Sequence, residues 1–198
     1  PNRSFDGTTE INRMLVPGMI MQKALPGELP FLQAAQAVAE ELPGLPSFAE
    51  PGEPEYLEDE AKLVANMKKV VLAALGLAAQ KFGQDLKDQQ GILADTADIC
   101  MEAYACESAL LRTLKKKDAD GEEAARMMAD MTTLYIHDAM DRVGACARSE
   151  MAATVEGDEL RTLLAGLRRL TKHDPVDRTR LHDGIAEKVI EADGYTVN

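Results

Sequence analysis

An all-α, antiparallel helical bundle is the fold this sequence predicts, on three observations. Apolar residues recur at spacings of three and four along most of the 198-residue chain, the signature of amphipathic helices. Aromatic residues are only 4% and Trp is absent. Ala, Leu, Met and Glu abound instead, and straight-chain residues lose little rotamer freedom in a helix. No alternating pattern of the kind a half-buried strand needs is present, except a short stretch at 195–197 that reads as a strand.

Taken in order, residues 8–24 read as the first helix, with Thr8 or Thr9 as its cap and Ile11, Met14, Leu15 and Met19 on one side. Pro17 removes a backbone donor and is expected to kink or restart it. Residues 30–42 form a short second helix with Phe31, Ala34, Ala35 and Val38 as its stripe. "LPGLPSFAEPGEP", residues 42–54, holds four prolines and two glycines and reads as an extended linker. This divides the chain into 1–42, a linker at 43–54, and a helical region at 55–198.

In that region, residues 55–87 repeat Leu63, Met67, Val70, Ala74, Leu77/Ala78 and Phe82. Residues 89–117 repeat Ile92, Thr96, Ile99, Ala103, Cys106, Leu110 and Leu114. Residues 121–155 carry Met127, Met131, Leu134, Ile136, Met140 and Val143. A shorter helix at 158–171 is expected to be capped by Asp158 and to end before Pro175. A last one, 177–192, stops at Gly194. Short connections make neighbours antiparallel.

A chain of this length buries roughly 70% of the surface it exposes when unfolded, enough for a core of its own. Its net charge of −12 and pI of about 4.7 repel phosphates and anionic headgroups, so nucleic-acid binding and a polybasic membrane patch are disfavoured. Cys100, Cys106 and Cys146 fall in apolar helical patterns and are odd in number. They read as buried free thiols in a reducing, cytoplasmic setting. No apolar run approaches spanning length, which predicts no stable membrane insertion. The start at Pro1, without methionine, predicts a fragment or processed product.

Several clusters could carry chemistry. His137 and Asp141, one turn apart, could begin a metal site. A solvated charge run with an Asp138–Arg142 pair at i,i+4 is the stronger reading, and no metal is expected. Lys115, Lys116 and Lys117 suit the dipole of a helix C-terminus. His173-Asp174-Pro175 and His182-Asp183 read as helix-terminal and surface features. The methionines read as core filler. At the opening, Asp6 with Gly7 makes a turn before the Thr8/Thr9 cap, and Glu10 sits where a carboxylate favours a helix N-terminus. Read from these residues alone, Asp6 is structural.

"RSFDGTTEINRMLVPGMIMQKAL" resembles the end of the catalytic region of acyl-CoA dehydrogenases, through Arg3, Phe5, Gly7, Thr8, Glu10, Ile11, Asn12 and Arg13. "EAKLVANMKKVVLAALGLAAQKFG", "DICMEAYACESALLRTLKK" and "EKVIEADGYTV" resemble the helical C-terminal extension of the very-long-chain type. The resemblance implies oxidation of an acyl-CoA to the trans-2-enoyl-CoA in fatty acid β-oxidation, with FAD as hydride acceptor. It implies Asp6 as the base that removes the α-proton. Gly7, Thr8 and Glu10 would lie on the flavin. A desolvated carboxylate and an oxyanion-type donor must act together, because the α-proton of a thioester is only weakly acidic. The partners implied are the acyl-CoA, an electron-transferring flavoprotein and further copies in a homodimer or higher homo-oligomer.

The family base is usually Glu, and Asp6 is one methylene shorter; a misplacement on the order of 1 Å can cost ~100-fold in rate. Either Asp6 reaches through a backbone shift or the base lies elsewhere. In long-chain relatives the extension is linked to membranes, but residues 42–60 here are acidic and proline-rich, unlike a basic interfacial segment. The fragment alone is expected to be inactive. The competing reading is a non-catalytic all-α interaction or oligomerisation module. A carrier bundle for a metal or small molecule is a third.

Overall fold

A computed structural model describes residues 8–42, 55–194 and 196. Among them lie seven α-helices and no strand: α1 (Thr9–Ala24), α2 (Phe31–Glu41), α3 (Glu58–Phe82), α4 (Gln90–Asp120), α5 (Glu122–Thr154), α6 (Gly157–Leu170) and α7 (Arg178–Ala192). A 3-10 turn, Gly83–Asp88, joins α3 to α4. The all-α expectation holds. The linker at 43–54 and most of the 195–197 stretch lie outside the described residues.

The two longest helices form an antiparallel hairpin around Gly121, whose φ of 90° is a conformation that L side chains resist. Thr113 meets Thr132 near the turn, with 2.7 Å between their hydroxyl oxygens. Further along, Glu102 meets Arg142 and Thr96 meets Glu150. One helix thus ascends as the other descends. Helix α3 packs on both, and its Met67, Val70 and Ala74 are fully buried with Ile99, Cys106, Ile136, Met140 and Val143. These are the residues the periodicity marked. On α5, however, Met128 and Thr132 are buried while Met127 and Met131 are half-buried. Over this first part of the helix the buried face is shifted by one residue, whereas Leu134, Ile136, Met140 and Val143 are buried as expected.

A second, smaller core joins Ala24, Phe31 and Ala35 to Leu75, Ala78, Leu86, Ile92 and Leu93. Helix α2 also reaches the main core through Val38 and Leu42. Its close approach to α3 depends on Gly76, where an added Cβ would stand 2.6 Å from the Ala35 Cβ.

Three local expectations need correction. Helix α1 does not restart at Pro17 but runs on through it, with the proline buried. Helix α6 is preceded by Glu156, not Asp158; Asp158 lies inside the first turn, where it accepts from Arg161 at 2.8 Å. Of the lysine run only Lys117 falls in the last turn of α4, which continues to Asp120. Lys116 pairs with Asp120 at 2.9 Å, and Lys117 lies 5.5 Å from the centre of the Tyr56 ring.

The stretch Glu58–Asp88 is long and apolar enough to cross a membrane by length and composition, with mean hydropathy 1.3 in its best window. The expectation that no run reaches spanning length is therefore overturned. Lys68 and Lys69 mask the run in the sequence; in the fold they point outward, to Glu107 and Glu41. On the opposite face Leu63, Met67, Val70, Ala74 and Ala78 are buried in the bundle.

Candidate functional site

The start of α1 is fixed by helix capping and one cross-helix anchor. The Thr8 hydroxyl accepts a hydrogen bond from the Ile11 backbone N–H at 3.3 Å, so the expected cap forms. Glu10 stands exposed in the first turn. Arg13 donates to the Ala94 carbonyl at 3.2 Å and pairs with Asp98, pinning α1 across the start of α4. Thr8 and Glu10 therefore share one exposed helix end. Asp6 and Gly7 lie outside the described residues.

The apolar side expected to be buried on α1 is in fact exposed: Ile11 is 62% exposed, Leu15 57% and Met19 56%. These residues recur every four positions and form a straight stripe over three turns. Of the expected side only Met14 is partly covered; the helix otherwise turns Pro17 and Ala24 inward, with Ile20 and Met21 partly covered. Beyond the stripe, an apolar groove of about 780 Å³ opens between α2 and α3, walled by Met21, Leu32, Ala39, Leu77 and Leu163 and edged by Gln80.

The polar groups of the long helices sort differently from the expectation. Asp138 and Arg142 do not pair along α5. Arg142 instead grips Glu102 on α4 through Nε at 2.6 Å and Nη2 at 3.0 Å, and the Tyr135 hydroxyl donates to the same carboxylate at 3.1 Å. The planar guanidinium matches a carboxylate with two parallel bonds, which a one-turn contact to Asp138 would not provide. The Arg142 bond holds the Glu102 carboxyl below its ordinary range. Burial, aided by that carboxylate, pushes the Tyr135 phenol up to about 12. Asp138 pairs with Arg178 of α7, at 2.9 Å.

His137 is buried, not part of a solvated face. His173 from the α6–α7 connection stacks against it edge-on, with ring centres 5.0 Å apart. Residues 137, 141, 171–173, 175, 176 and 178 line a cavity of about 300 Å³. No group of three His, Cys, Asp or Glu side chains among the described residues is arranged to hold a metal ion. His182 is exposed, as expected.

Glu150 has no counterpart in the sequence expectations. It is 1% exposed, and its Oε1 accepts from the Thr96 hydroxyl at 2.9 Å while Oε2 has no partner. Burial drives its carboxyl up to about 8, so it is largely protonated at neutral pH. The signal was available: Glu150 continues the buried stripe of Val143 and Ala147, a position that otherwise takes an apolar residue. The cysteines are free; Cys106 is buried, whereas Cys100 and Cys146 are only half-buried. Burial raises all three thiols, Cys100 and Cys106 to about 12, so none is a ready nucleophile.

Against known proteins, residues 66–169 match the family described as acyl-CoA dehydrogenase, C-terminal domain. A probable acyl-CoA dehydrogenase of Bacillus subtilis (strain 168) is 42% identical over 196 residues, covering 99% of this chain and 33% of its own. A solved acyl-CoA dehydrogenase from Bacillus anthracis, complexed with FAD, superposes with a TM-score of 0.92 at 41% identity, over 99% of this chain and 32% of that one. This chain thus spans about a third of the length of these relatives. With the helices 58–170 forming the bundle core and the match falling on them, the chain belongs to the acyl-CoA dehydrogenase C-terminal domain family.

Proposed function

We propose that this chain acts as the C-terminal part of a FAD-dependent acyl-CoA dehydrogenase that converts an acyl-CoA to its trans-2-enoyl-CoA in fatty acid β-oxidation. The observation that carries this reading is the 41% identity and TM-score of 0.92 to an FAD-complexed acyl-CoA dehydrogenase along 99% of the chain. A likeness of that extent runs through the opening segment as well as the helices.

In this reading the Asp6 carboxylate accepts the α-proton of the substrate thioester. FAD, when bound, accepts the β-hydride, so the acyl group loses one proton and one hydride and gains the double bond. Gly7 lets the backbone come close to the thioester carbonyl, toward which a backbone N–H is directed. Thr8 and Glu10 lie on the flavin side. Their exposure at one helix end supports a role toward something outside the described bundle. The unburied stripe of Ile11, Leu15 and Met19 supports the same reading, because a helix that turns such a stripe outward is expected to have it covered by other protein. The covering protein in this proposal is the catalytic core of the complete enzyme. A helical extension of the very-long-chain type, a homodimer or higher homo-oligomer, an electron-transferring flavoprotein as acceptor and a cytoplasmic setting belong to the same proposal.

By itself the chain lacks most of what such a reaction needs and is inactive. FAD titration and acyl-CoA turnover of the isolated 198-residue chain test this. No turnover and no tight flavin binding are expected. Turnover by the chain alone would refute the reading. A non-catalytic module, to which aspartate at the usual glutamate position points, would be favoured if the chain stayed inert after being joined to a complete catalytic core.

A further inference from the structure

We propose that the His137–His173 contact is a proton-sensitive latch: it fastens the last helix to the bundle at neutral pH and releases it on acidification, leaving the bundle folded.

Helix α7 is held by little else. Its one buried residue is Leu181. At its start, Arg178 straddles two carboxylates of α5, Asp138 at 2.9 Å and Asp141 at 2.7 Å. The chain leading to it, residues 171–177, contains no helix. His173, half-buried like Thr171 and Val176 of the same connection, lies edge-on to the buried His137 ring at 5.0 Å.

The hydrogen-bond pattern limits what each ring can carry. His173 Nδ1 lies 3.0 Å from the Thr171 carbonyl oxygen, which can only accept, so Nδ1 bears the hydrogen. Its Nε2 faces Asp141 at 3.8 Å. The His137 ring is the more deeply buried of the two. Its Nδ1 is buried without a partner. Its Nε2 is 3.8 Å from Glu60 Oε1, beyond hydrogen-bonding distance, and that oxygen already accepts from Thr133 at 2.6 Å.

The charged groups around His137 come from four elements. Glu60 is on α3, Asp138 and Asp141 on α5, Lys172 and His173 on the connection, and Arg178 on α7. Glu60 and Asp141 favour its charged form. Burial, then His173, then Arg178 oppose it, and together these win, so its pKa is depressed.

Proton uptake at His137 therefore requires the connection to swing away and water to enter. A group whose folded pKa is depressed contributes stability that is complete above its ordinary value of 6.5 and is lost as pH falls toward the folded value. Below about 6.5 the opening equilibrium rises up to about tenfold per pH unit for each proton taken up.

Hydrogen exchange of the 198-residue chain between pH 7.5 and 5, corrected for intrinsic rates, tests the latch. Protection of amides in α7 is expected to fall by up to about tenfold per pH unit below pH 6.5, with no fall in α3, α4 and α5. His137→Phe keeps an aromatic edge contact without a titrating nitrogen, and α7 should then stay protected throughout. Flat protection in the parent chain, the same fall in His137→Phe, or simultaneous loss in all helices would overturn the proposal. Should His137→Phe not fold, the His137 ring-proton titration by NMR decides. A midpoint well below 6.5 supports the latch, and one at or above 6.5 refutes it.

Discussion

Thr96 on α4 donates its hydroxyl hydrogen to Glu150 on α5 at 2.9 Å, deep in the hairpin, where the Glu150 carboxyl is almost wholly shielded from solvent. Its other oxygen is left unpaired. The pair ties together the ends of the two longest helices farthest from their turn, using an acid that stays protonated because ionising it there would strand a charge.

That arrangement gives stability a definite pH dependence. The Glu150 carboxyl has a folded pKa of about 8 against 4.5 for an ordinary glutamate. The folded state therefore holds more protons than the unfolded one between those values. Stability from this group is complete below about 4.5, declines as pH rises, and levels off above about 8. The decline is on the order of a few kcal/mol, since each tenfold change in proton affinity corresponds to about 1.4 kcal/mol. Glu150→Gln preserves shape and removes the titration. Urea denaturation of both proteins at pH 5, 7 and 9 should show the variant gaining on the parent at each step. A constant difference would show that Glu150 does not titrate in the folded chain.

The Arg142–Glu102 grip should contribute modestly, as it is partly exposed, at 47% and 20% for the two side chains. Arg142→Ala is expected to cost about 1 kcal/mol. Arg142→Lys should lose most of that as well, because a lysine cannot make the two parallel bonds. A double-mutant cycle with Glu102→Gln would measure the coupling, and a coupling near zero would reduce the grip to a surface contact.

Gly76→Ala places a methyl 2.6 Å from Ala35. Alanine gains about 1 kcal/mol of helix propensity over glycine, whereas overpacking costs about 1–3 kcal/mol. The clash is expected to win, with thermal denaturation moving down. At Gly184 on α7, nothing lies within 4 Å of the added methyl, so Gly184→Ala should raise stability by up to about 1 kcal/mol. If the two substitutions had the same sign, close approach of α2 to α3 would not explain Gly76.

Much of the bundle was legible because buried stripes impose helical periodicity. Leu63, Met67, Val70 and Ala74 are marked by spacing alone and are core residues in the structure. Ile11, Leu15 and Met19 show the same spacing and are exposed. Periodicity reports that a face is apolar, not which protein covers it. Partners across helices were not legible either. Arg142 has acids one turn away and across the hairpin, and only the geometry of the hairpin selects Glu102. His173 reaches His137 through an irregular connection that no periodic pattern describes. Asp6 and Gly7, on which the chemical reading rests, lie outside the described residues, so their assignment stands on the motif around Thr8 and Glu10.

The most direct measurement uses a chimera in which this chain replaces the corresponding C-terminal third of the Bacillus anthracis relative. Anaerobic addition of an acyl-CoA that the parent enzyme oxidises should bleach the bound flavin. Asp6→Asn should abolish bleaching while leaving flavin binding intact, and Asp6→Glu should raise the rate by up to about 100-fold by restoring the missing methylene of reach. Undiminished bleaching in the Asp6→Asn chimera would contradict the assignment of Asp6 as the base.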